Sequence, residues 1–226
     1  MSLGKIGHFL IAAHFWFGCY YDWNYVKIPI EIHDMGDSSF NSKKLKFLTY
    51  WDALLQSTFF TICFLNDIFG TNEKYPKSTP FFRKLKDLLL PALAFPLAMF
   101  VGVTFWGLYF IDRELIFPRS IDPYFPWWLN HLMHTNIMFF IILELFTSYR
   151  KYPSRKLGLS ILTLFMLLFK TIAEETIKIW VVCTTKLGIV LICDIRIYLR
   201  SFWCFVFIRL FNIIDIELVV LLYSGL

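Results

Sequence analysis

Thr49 and His134 are two residues of this chain whose types could together perform covalent chemistry on a carbonyl group. A hydroxyl within reach of an imidazole is the minimal nucleophile and base: the threonine attacks the carbonyl carbon, and the histidine takes its proton and returns it to the leaving alcohol. The ordinary alternative for Thr49 is a hydrogen bond back to a carbonyl one helical turn earlier. The other candidates, with the roles that their types suggest, are Asp52 and Glu144 as groups that orient the imidazole, Asn130 and Gln56 as donors to an oxyanion, and His131 at the edge of the same helix face.

Helical spacing gathers these residues into two polar stripes, each on an apolar segment. One lies in KFLTYWDALLQ (46–56), where Thr49, Asp52 and Gln56 share a face. The other lies in WWLNHLMHTNIMFFIILELF (127–146) and consists of Asn130, His134, Ile137, Ile141 and Glu144. Counted from the starts of the two segments, the depths of Thr49 and His134 differ by only about 5 Å. An ionisable side chain inside a membrane span costs roughly 2 to 3 kcal/mol, so two such stripes predict a site. The alternative is that they only pack helices together, above all at His131.

The composition places both segments in a lipid bilayer. The 226 residues are 58% hydrophobic and 17% charged, with a mean hydropathy of +0.59, whereas a soluble domain has about 25% charged residues. Four stretches approach the roughly 20 apolar residues that a helical span needs: 6–26, 47–65, 88–111 and 127–146. A fifth begins at 157 but meets KTIAEETIK (170–178). We therefore predict an all-α, polytopic bundle of five to six transmembrane helices with an atypical C-terminal part, resident in the plasma membrane or an endomembrane such as the ER.

Charge and cysteine content predict few further partners. The net charge of +5 is spread over both ends of the spans, which fits contact with anionic membrane lipids and argues against nucleic acid. No glycine-rich phosphate loop is present, so we expect no nucleotide and no other cofactor. Many Phe and Leu side chains favour an apolar ester that enters from the bilayer. The five cysteines have neither metal nor redox spacing, and we expect packing roles for Cys19, Cys63, Cys183, Cys193 and Cys204.

Several motifs resemble one known family. KFLTYWDALLQ (46–56), LAFP (93–96), DRELIFPRSIDPYFPWWLNHLMHT (112–135) and YPSR followed by GL (152–159) are similar, in this order and spacing, to the androgen-induced gene 1 and androgen-dependent TFPI-regulating protein family. The resemblance implies a multi-pass membrane threonine hydrolase that cleaves fatty acid esters of hydroxy fatty acids, with Thr49 and His134 as its essential residues. It covers about 1–168. The segment 169–226 departs from the family pattern, so we predict a hydrolase core at 1–168 and a divergent apolar segment at 169–226.

Two other classes of function stay open. A metal-dependent lipid hydrolase or hydroxylase would use His131, His134 and His14 with a carboxylate. Five histidines are too few for the di-iron enzymes with several histidine boxes, and a zinc site usually needs three firm protein ligands, so we expect no metal. A non-enzymatic multi-pass membrane regulator, transporter or lipid-binding protein is the stronger alternative, because polar stripes in spans also mark interaction faces and transport paths.

Overall fold

The computed structural model describes residues 3–28, 44–45 and 47–169. They all belong to the compact unit Met1–Ala173. The predicted divergent segment 169–226 lies outside the described residues except for its first residue. The prediction of a sixth span therefore lies outside them as well.

The described residues are all-helical, as predicted, and contain no strand. Helix α1 is Leu3–Tyr25 and α2 is Leu48–Phe69. Helix α3 is Phe81–Ile111 and α4 is Trp127–Thr147, each interrupted by a π-helical turn, at Leu90–Ala94 and Leu132–Asn136 respectively. Two short 3₁₀ turns, Arg113–Leu115 and Arg119–Ile121, connect α3 to α4. A fifth helix, α5, covers 155–169.

Prolines and local caps set the helix limits. Pro80 and Pro126 immediately precede α3 and α4 in extended conformations, which suits a residue that fixes φ and lacks an N–H. Gly70 ends α2 and donates its N–H to the Asn66 carbonyl at 2.8 Å. The π-helical turn of α3 contains Pro91 and is followed by Pro96, so the regular backbone ladder lacks two donors there.

An aromatic cluster joins three of the helices. The Phe15 ring of α1 stacks on Phe60 of α2 at 6.0 Å, and Phe140 of α4 meets both rings edge-on at 5.9 and 6.5 Å. In a bilayer, where lipid is as apolar as the side chains, such helices associate mainly through close packing and hydrogen bonds. The cluster therefore fixes how α1, α2 and α4 lie against one another around the candidate site.

The ends of α1 and α2 are tied by a buried lysine. Lys44 donates to the backbone carbonyls of Asp22 and Val26, and its ammonium lies 3.3 Å from the Asp22 carboxylate. Burial lowers the pKa of Lys44, and the Asp22 carboxylate acts in the opposite direction. This contact brings the start of α2 back to the end of α1 and makes the two helices an antiparallel pair.

Two helices of the described part, Phe81–Ile111 and Trp127–Thr147, are long and apolar enough to cross a membrane. Helices α1 and α2 have 23 and 22 residues, and they begin and end within a few residues of the first two predicted spans. Each is long enough to cover about 30 Å of bilayer, but they carry more polar residues. Among the described residues the predicted helices are thus present, and two of them have the composition of a span.

Candidate active site

His134 is held in one defined tautomer inside the bundle. Its side chain is buried, and its Nδ1 lies 3.0 Å from the backbone carbonyl oxygen of Asn130. A carbonyl only accepts hydrogen bonds, so Nδ1 carries the proton and Nε2 has a free lone pair in the neutral ring. The imidazole stacks on Phe105 with ring centroids 3.6 Å apart. The sequence predicts a carboxylate as the orienting group, and this prediction is wrong within the described residues, because a backbone carbonyl performs that task.

The backbone around His134 is irregular and tightly packed. His134 lies in the π-helical turn Leu132–Asn136, and single π turns inside α-helices are frequent at functional sites. Helix α3 approaches this turn at Gly102, where an added Cβ would lie 2.7 Å from the His134 backbone oxygen. Close approach of this kind is the usual reason for a small residue between membrane helices. The position of His134 therefore depends on a glycine of the neighbouring helix.

Thr49 lies half-buried in the first turn of α2, and its hydroxyl has no hydrogen bond to a described residue. Other hydroxyls of α2 bond back along the helix, as Thr58 does to Leu54 and Thr61 does to Ser57. The carbonyl that Thr49 would reach in this way, that of Leu45, accepts the Trp51 indole N–H at 2.6 Å. The ordinary structural role of a helix threonine is thus absent at Thr49 among the described residues.

Contacts of α2 and α4 with α3 give one measure of the relative depth of Thr49 and His134. Gln56 of α2 bonds to Ala94 of α3, and since the helices are antiparallel, position 49 is level with position 101. His134 is level with positions 102–105, because it contacts Gly102 and Phe105. The difference of one to four residues corresponds to about 2 to 6 Å along the helix axis.

The Phe60 to Phe140 ring contact between α2 and α4 gives an offset of about 7 to 8 Å in the opposite direction, with Thr49 nearer than His134 to the starts of the two helices. Both estimates place Thr49 and His134 in the same half of the bundle. Thr49 shares a helix face with Gln56 and Phe60, which contact α3 and α4. No hydrogen bond joins Thr49 to His134 within the described residues, and catalytic hydrogen bonds often tighten only once substrate is bound.

Three of the predicted site residues carry buried polar atoms without a partner. The Asn130 side chain is fully buried, and neither its amide nitrogen nor its amide oxygen has a hydrogen bond. Asp52 and Gln56 are also fully buried, and one oxygen of each, Oδ2 and Oε1, lacks a partner. Both protons of the Gln56 amide are in use, since Nε2 donates to Asp52 Oδ1 at 3.0 Å and to the Ala94 carbonyl at 2.9 Å.

Buried polar groups are nearly always paired in proteins, so orphan groups of this kind call for a bound partner. Of the two predicted oxyanion donors, Asn130 has a free N–H and Gln56 does not.

His131 belongs to a separate arrangement on α4. The indole of Trp106 donates to the Thr135 hydroxyl at 3.1 Å, and that hydroxyl lies 2.9 Å from Nδ1 of His131. The hydroxyl accepts from Trp106 and can either donate to His131 Nδ1 or accept from it, according to the tautomer of the imidazole. Thr135 and His131 are thus a second hydroxyl and imidazole pair, which the sequence analysis did not identify. Trp106 is its third member, and no spacing in the sequence indicates it.

Glu144 lies away from His134, and the prediction that it orients the imidazole is wrong. The two residues are ten positions apart on α4, which is about 15 Å along the axis. The Glu144 carboxylate contacts His8 Nε2 at 2.9 Å, Ser148 Oγ at 3.0 Å and the Arg150 guanidinium at 3.4 Å. Residues three or four apart share a face, but a shared face does not bring together residues separated by three turns.

The metal ligands proposed from the sequence are not brought together as a set. His14 contacts Asn136 through Nε2 at 3.0 Å, while His131 and His134 use Nδ1 for Thr135 and Asn130. Within the described residues, the group with metal-ligand geometry is a different one: His8, Cys63 and Glu144.

Comparisons with known proteins agree on one family. A sequence model of the family described as FAR-17a/AIG1-like protein matches residues 5–182. Human androgen-induced gene 1 protein is 38% identical over 148 residues, which are 63% of this chain and 60% of that protein. The rat androgen-dependent TFPI-regulating protein is 42% identical over 134 residues, which are 58% of this chain and 54% of that protein. Its human counterpart is 34% identical over 157 residues, which are 70% of this chain and 66% of that protein. The chain thus spans between about half and two thirds of each of these relatives. No solved structure matches it.

Proposed function

The chain belongs to the FAR-17a/AIG1-like protein family, and we propose that it is a multi-pass membrane hydrolase that cleaves fatty acid esters of hydroxy fatty acids. The observation that carries the proposal is the His134 ring: its Nδ1–H is fixed on a backbone carbonyl, and its Nε2 is left as a proton acceptor. Thr49 supplies a hydroxyl with no structural bond among the described residues, in the same half of the bundle. These features support the proposal independently of the family motifs.

The reaction proceeds in two steps of acyl transfer. The Thr49 oxygen attacks the ester carbonyl carbon while His134 Nε2 takes the hydroxyl proton. The tetrahedral intermediate collapses, His134 returns that proton to the alkoxide of the hydroxy fatty acid, and the acyl group stays on Thr49. Water then attacks the acyl-threonine with His134 as base, releasing the fatty acid and restoring the threonine. The Asn130 carbonyl holds Nδ1–H throughout and stabilises the imidazolium that forms in each step.

Asn130 has a second role in this mechanism, as the donor to the oxyanion. Its amide N–H groups are buried and unpaired, whereas both protons of Gln56 are in use. A donor that is already desolvated and aimed at developing charge costs no reorganisation when the charge appears. Gln56 bonds to Asp52 and ties the polar stripe of α2 to the π-helical turn of α3 at Ala94.

The substrate class follows from the surroundings of the pair. Phe105 covers one face of the imidazole, and the first turn of α2 lies in an apolar helix, so an acyl chain has apolar surface on both sides. A ligand of this kind partitions into the bilayer and reaches the site laterally. The hydroxy fatty acid ester itself is the part of the proposal that family resemblance supports.

The experiment is hydrolysis of a panel of hydroxy fatty acid esters by membranes that contain the chain at matched expression. Thr49→Ala and His134→Ala should each lower turnover by about three orders of magnitude or more, because loss of a nucleophile or base removes the whole mechanism. Asn130→Ala should lower kcat by about 100-fold to 1,000-fold with little change in KM. Mass spectrometry of the enzyme quenched with a slowly turned-over ester should find the acyl group on Thr49.

Two threonines serve as controls. Thr58→Ala removes an exposed hydroxyl of α2 that bonds back to Leu54, and it should keep wild-type activity. Thr135→Val removes the hydroxyl that contacts His131, the competing nucleophile and base pair. Loss of activity in Thr135→Val with full activity in Thr49→Ala would refute the assignment of Thr49. Absence of turnover by folded wild-type protein would instead favour the non-enzymatic membrane regulator or lipid-binding protein.

A further inference from the structure

A second buried polar cluster lies at the other end of the bundle and joins α1, α2 and α4. Its centre is His8, whose Nδ1 lies 2.6 Å from Asp67 Oδ2 and whose Nε2 lies 2.9 Å from Glu144 Oε2. His8 is 7% exposed and Glu144 is 2% exposed. The proposed hydrolysis uses none of these residues, and Glu144 is about 15 Å from His134 along α4.

The two contacts of His8 require a cation beside the ring. An ionised carboxylate only accepts hydrogen bonds, and a neutral imidazole has one N–H to donate. The shorter contact, with Asp67, takes that N–H at Nδ1. The remaining nitrogen, Nε2, then faces the Glu144 oxygen with a lone pair, so either a second proton or a metal ion occupies the space between the two atoms.

The position of Cys63 favours the metal ion over the proton. Its side chain is fully buried, and its thiol is free and has no hydrogen bond to a described residue. The Cys63 sulfur, His8 nitrogen and Glu144 oxygen all lie within 4.8 Å of one another. A proton between His8 and Glu144 leaves that sulfur as a packing group only, whereas sulfur, imidazole nitrogen and carboxylate oxygen together are the donor atoms of zinc sites.

Asp67 completes the pattern. A zinc-binding histidine almost always donates its other ring N–H to a carboxylate or a carbonyl, which fixes the ring and increases its basicity. The contact of 2.6 Å between His8 Nδ1 and Asp67 is of this kind. We propose that His8, Cys63 and Glu144 bind one Zn²⁺ ion, with Asp67 as the carboxylate behind the histidine.

The distances are close to those that zinc needs. Ligand bonds of about 2.0 to 2.2 Å for nitrogen and oxygen and about 2.3 Å for sulfur place neighbouring donor atoms about 3.3 to 3.7 Å apart in a tetrahedron. The His8 and Glu144 atoms at 2.9 Å must separate by a few tenths of an ångström. The Cys63 sulfur, within 4.8 Å of both, must move inward by about 1 Å at most.

Cations of the protein also lie near the cluster. Arg150 lies 3.4 Å from Glu144 Oε1, the oxygen that also accepts from Ser148. Oε2 accepts from the Thr147 hydroxyl and also faces His8, where it has a further lone pair. Lys86 donates to Asn72 Oδ1 and Ser148 Oγ, and Arg83 is paired with Asp87 at 2.8 Å. Zinc replaces the second imidazole proton and the thiol proton, so two positive charges leave as one doubly charged ion enters. The net charge of the cluster is unchanged.

The ion would join three helices that are otherwise held at this end by hydrogen bonds. Its expected effect is structural, and the proposal does not rest on the proposed hydrolysis. Because two protons are released on binding, zinc affinity should increase with pH. The fourth zinc position is open to water or to a neighbouring oxygen.

The test is the metal content of the full chain, purified in detergent without a histidine tag and in buffers freed of metal. Wild-type protein should carry about one zinc ion per chain by elemental analysis. His8→Gln and Cys63→Ser should each lose most of it. Cys19→Ser is the matched control, because Cys19 is also a buried free cysteine but contacts Ser57, outside the cluster. It should keep its zinc.

Cobalt binding can be measured on the wild-type protein, so this test does not depend on whether any variant folds. Adding Co²⁺ to metal-stripped wild-type protein should produce the charge-transfer absorption of a thiolate bound to cobalt, and zinc should remove it. Wild-type protein that carries no zinc and shows no such band would overturn the proposal and leave a proton between His8 and Glu144. Zinc retained in Cys63→Ser would overturn it as well, because the sulfur is the ligand that the proposal depends on.

Discussion

Replacing Gly102 by alanine tests how the His134 backbone is positioned. An added Cβ at Gly102 would lie 2.7 Å from the His134 backbone oxygen and closer still to the Met138 sulfur. Contacts between such atoms are favourable at about 3.5 to 4.0 Å, so α3 and α4 must separate by about 1 Å. Met138 is a flexible side chain that can rotate away. The His134 oxygen is backbone, so relief requires the π-helical turn itself to shift.

The effects on stability and activity can be estimated separately. Overpacking of this kind costs about 1 to 3 kcal/mol, and the change from glycine to alanine in a helix returns about 0.5 to 1 kcal/mol. We expect Gly102→Ala to be destabilised by up to about 2.5 kcal/mol in thermal unfolding. A displacement of about 1 Å at a catalytic group can cost about 100-fold in rate, so ester hydrolysis should fall by about 10-fold to 100-fold, mainly in kcat.

Gly107→Ala is the matched control on the same helix. Nothing lies within 4 Å of an added Cβ at Gly107, so that variant should be as active as wild type and equally or slightly more stable. Both variants add one methyl group to helix α3, and they differ only in the atoms that this methyl group contacts. Equal melting temperatures and equal activities for Gly102→Ala and Gly107→Ala would refute the close approach of α3 to the His134 turn.

Two further predictions concern the end of the bundle near residue 70. Gly70→Ala should lower the melting temperature, because an added Cβ would lie 2.8 Å from the Asn66 backbone oxygen. Gly7→Ala is the control: nothing lies within 4 Å of an added Cβ there, so the melting temperature should not fall. Similar melting of the two proteins would contradict this account. Arg83→Met should destabilise the fold by about 3 to 5 kcal/mol, because the buried Asp87 carboxylate loses the guanidinium and keeps only the Lys151 backbone N–H as a hydrogen-bond donor. The double variant with Asp87→Leu should recover much of that loss in the same assay, and equal melting of single and double variants would show that the pair is not coupled.

The helices could be predicted from the sequence because apolar length and proline positions are local signals. The predicted spans 6–26, 47–65 and 127–146 lie within four residues of the ends of α1, α2 and α4. Helix α3 begins seven residues before its predicted span, because the amphipathic turn at Phe81–Leu89 carries charges and was excluded on composition. The π-helical turns left no signal that periodicity could detect, since one extra residue in a turn is indistinguishable from an imperfect stripe.

The candidate site was predicted in part for the same reason. A stripe at helical spacing correctly gathers Asp52 and Gln56, which are bonded to each other, and Asn130 and His134, which are bonded through the Asn130 carbonyl. The pattern cannot say what lies across from a residue. Glu144 illustrates this limit, because its partner His8 lies 136 positions earlier in the chain. Its depth alone, about three turns from His134, excludes it from the site.

The position of His134 is set by glycines on two neighbouring helices. A π-helical turn holds an extra residue and is wider than a regular α-helical turn, so the helices packed on it must approach with small residues. Gly102 of α3 meets the backbone and Met138 on one side, and Gly18 of α1 meets the Leu132 side chain on another.

The three atoms nearest to an added Cβ at Gly18 all belong to the Leu132 side chain, which can change rotamer, whereas those at Gly102 include the His134 backbone oxygen. Helix α3 is therefore the rigid reference for the imidazole, and its own π-helical turn receives the Gln56 amide at Ala94. Both polar stripes are thus positioned against the same helix, although no hydrogen bond joins Thr49 to His134 among the described residues.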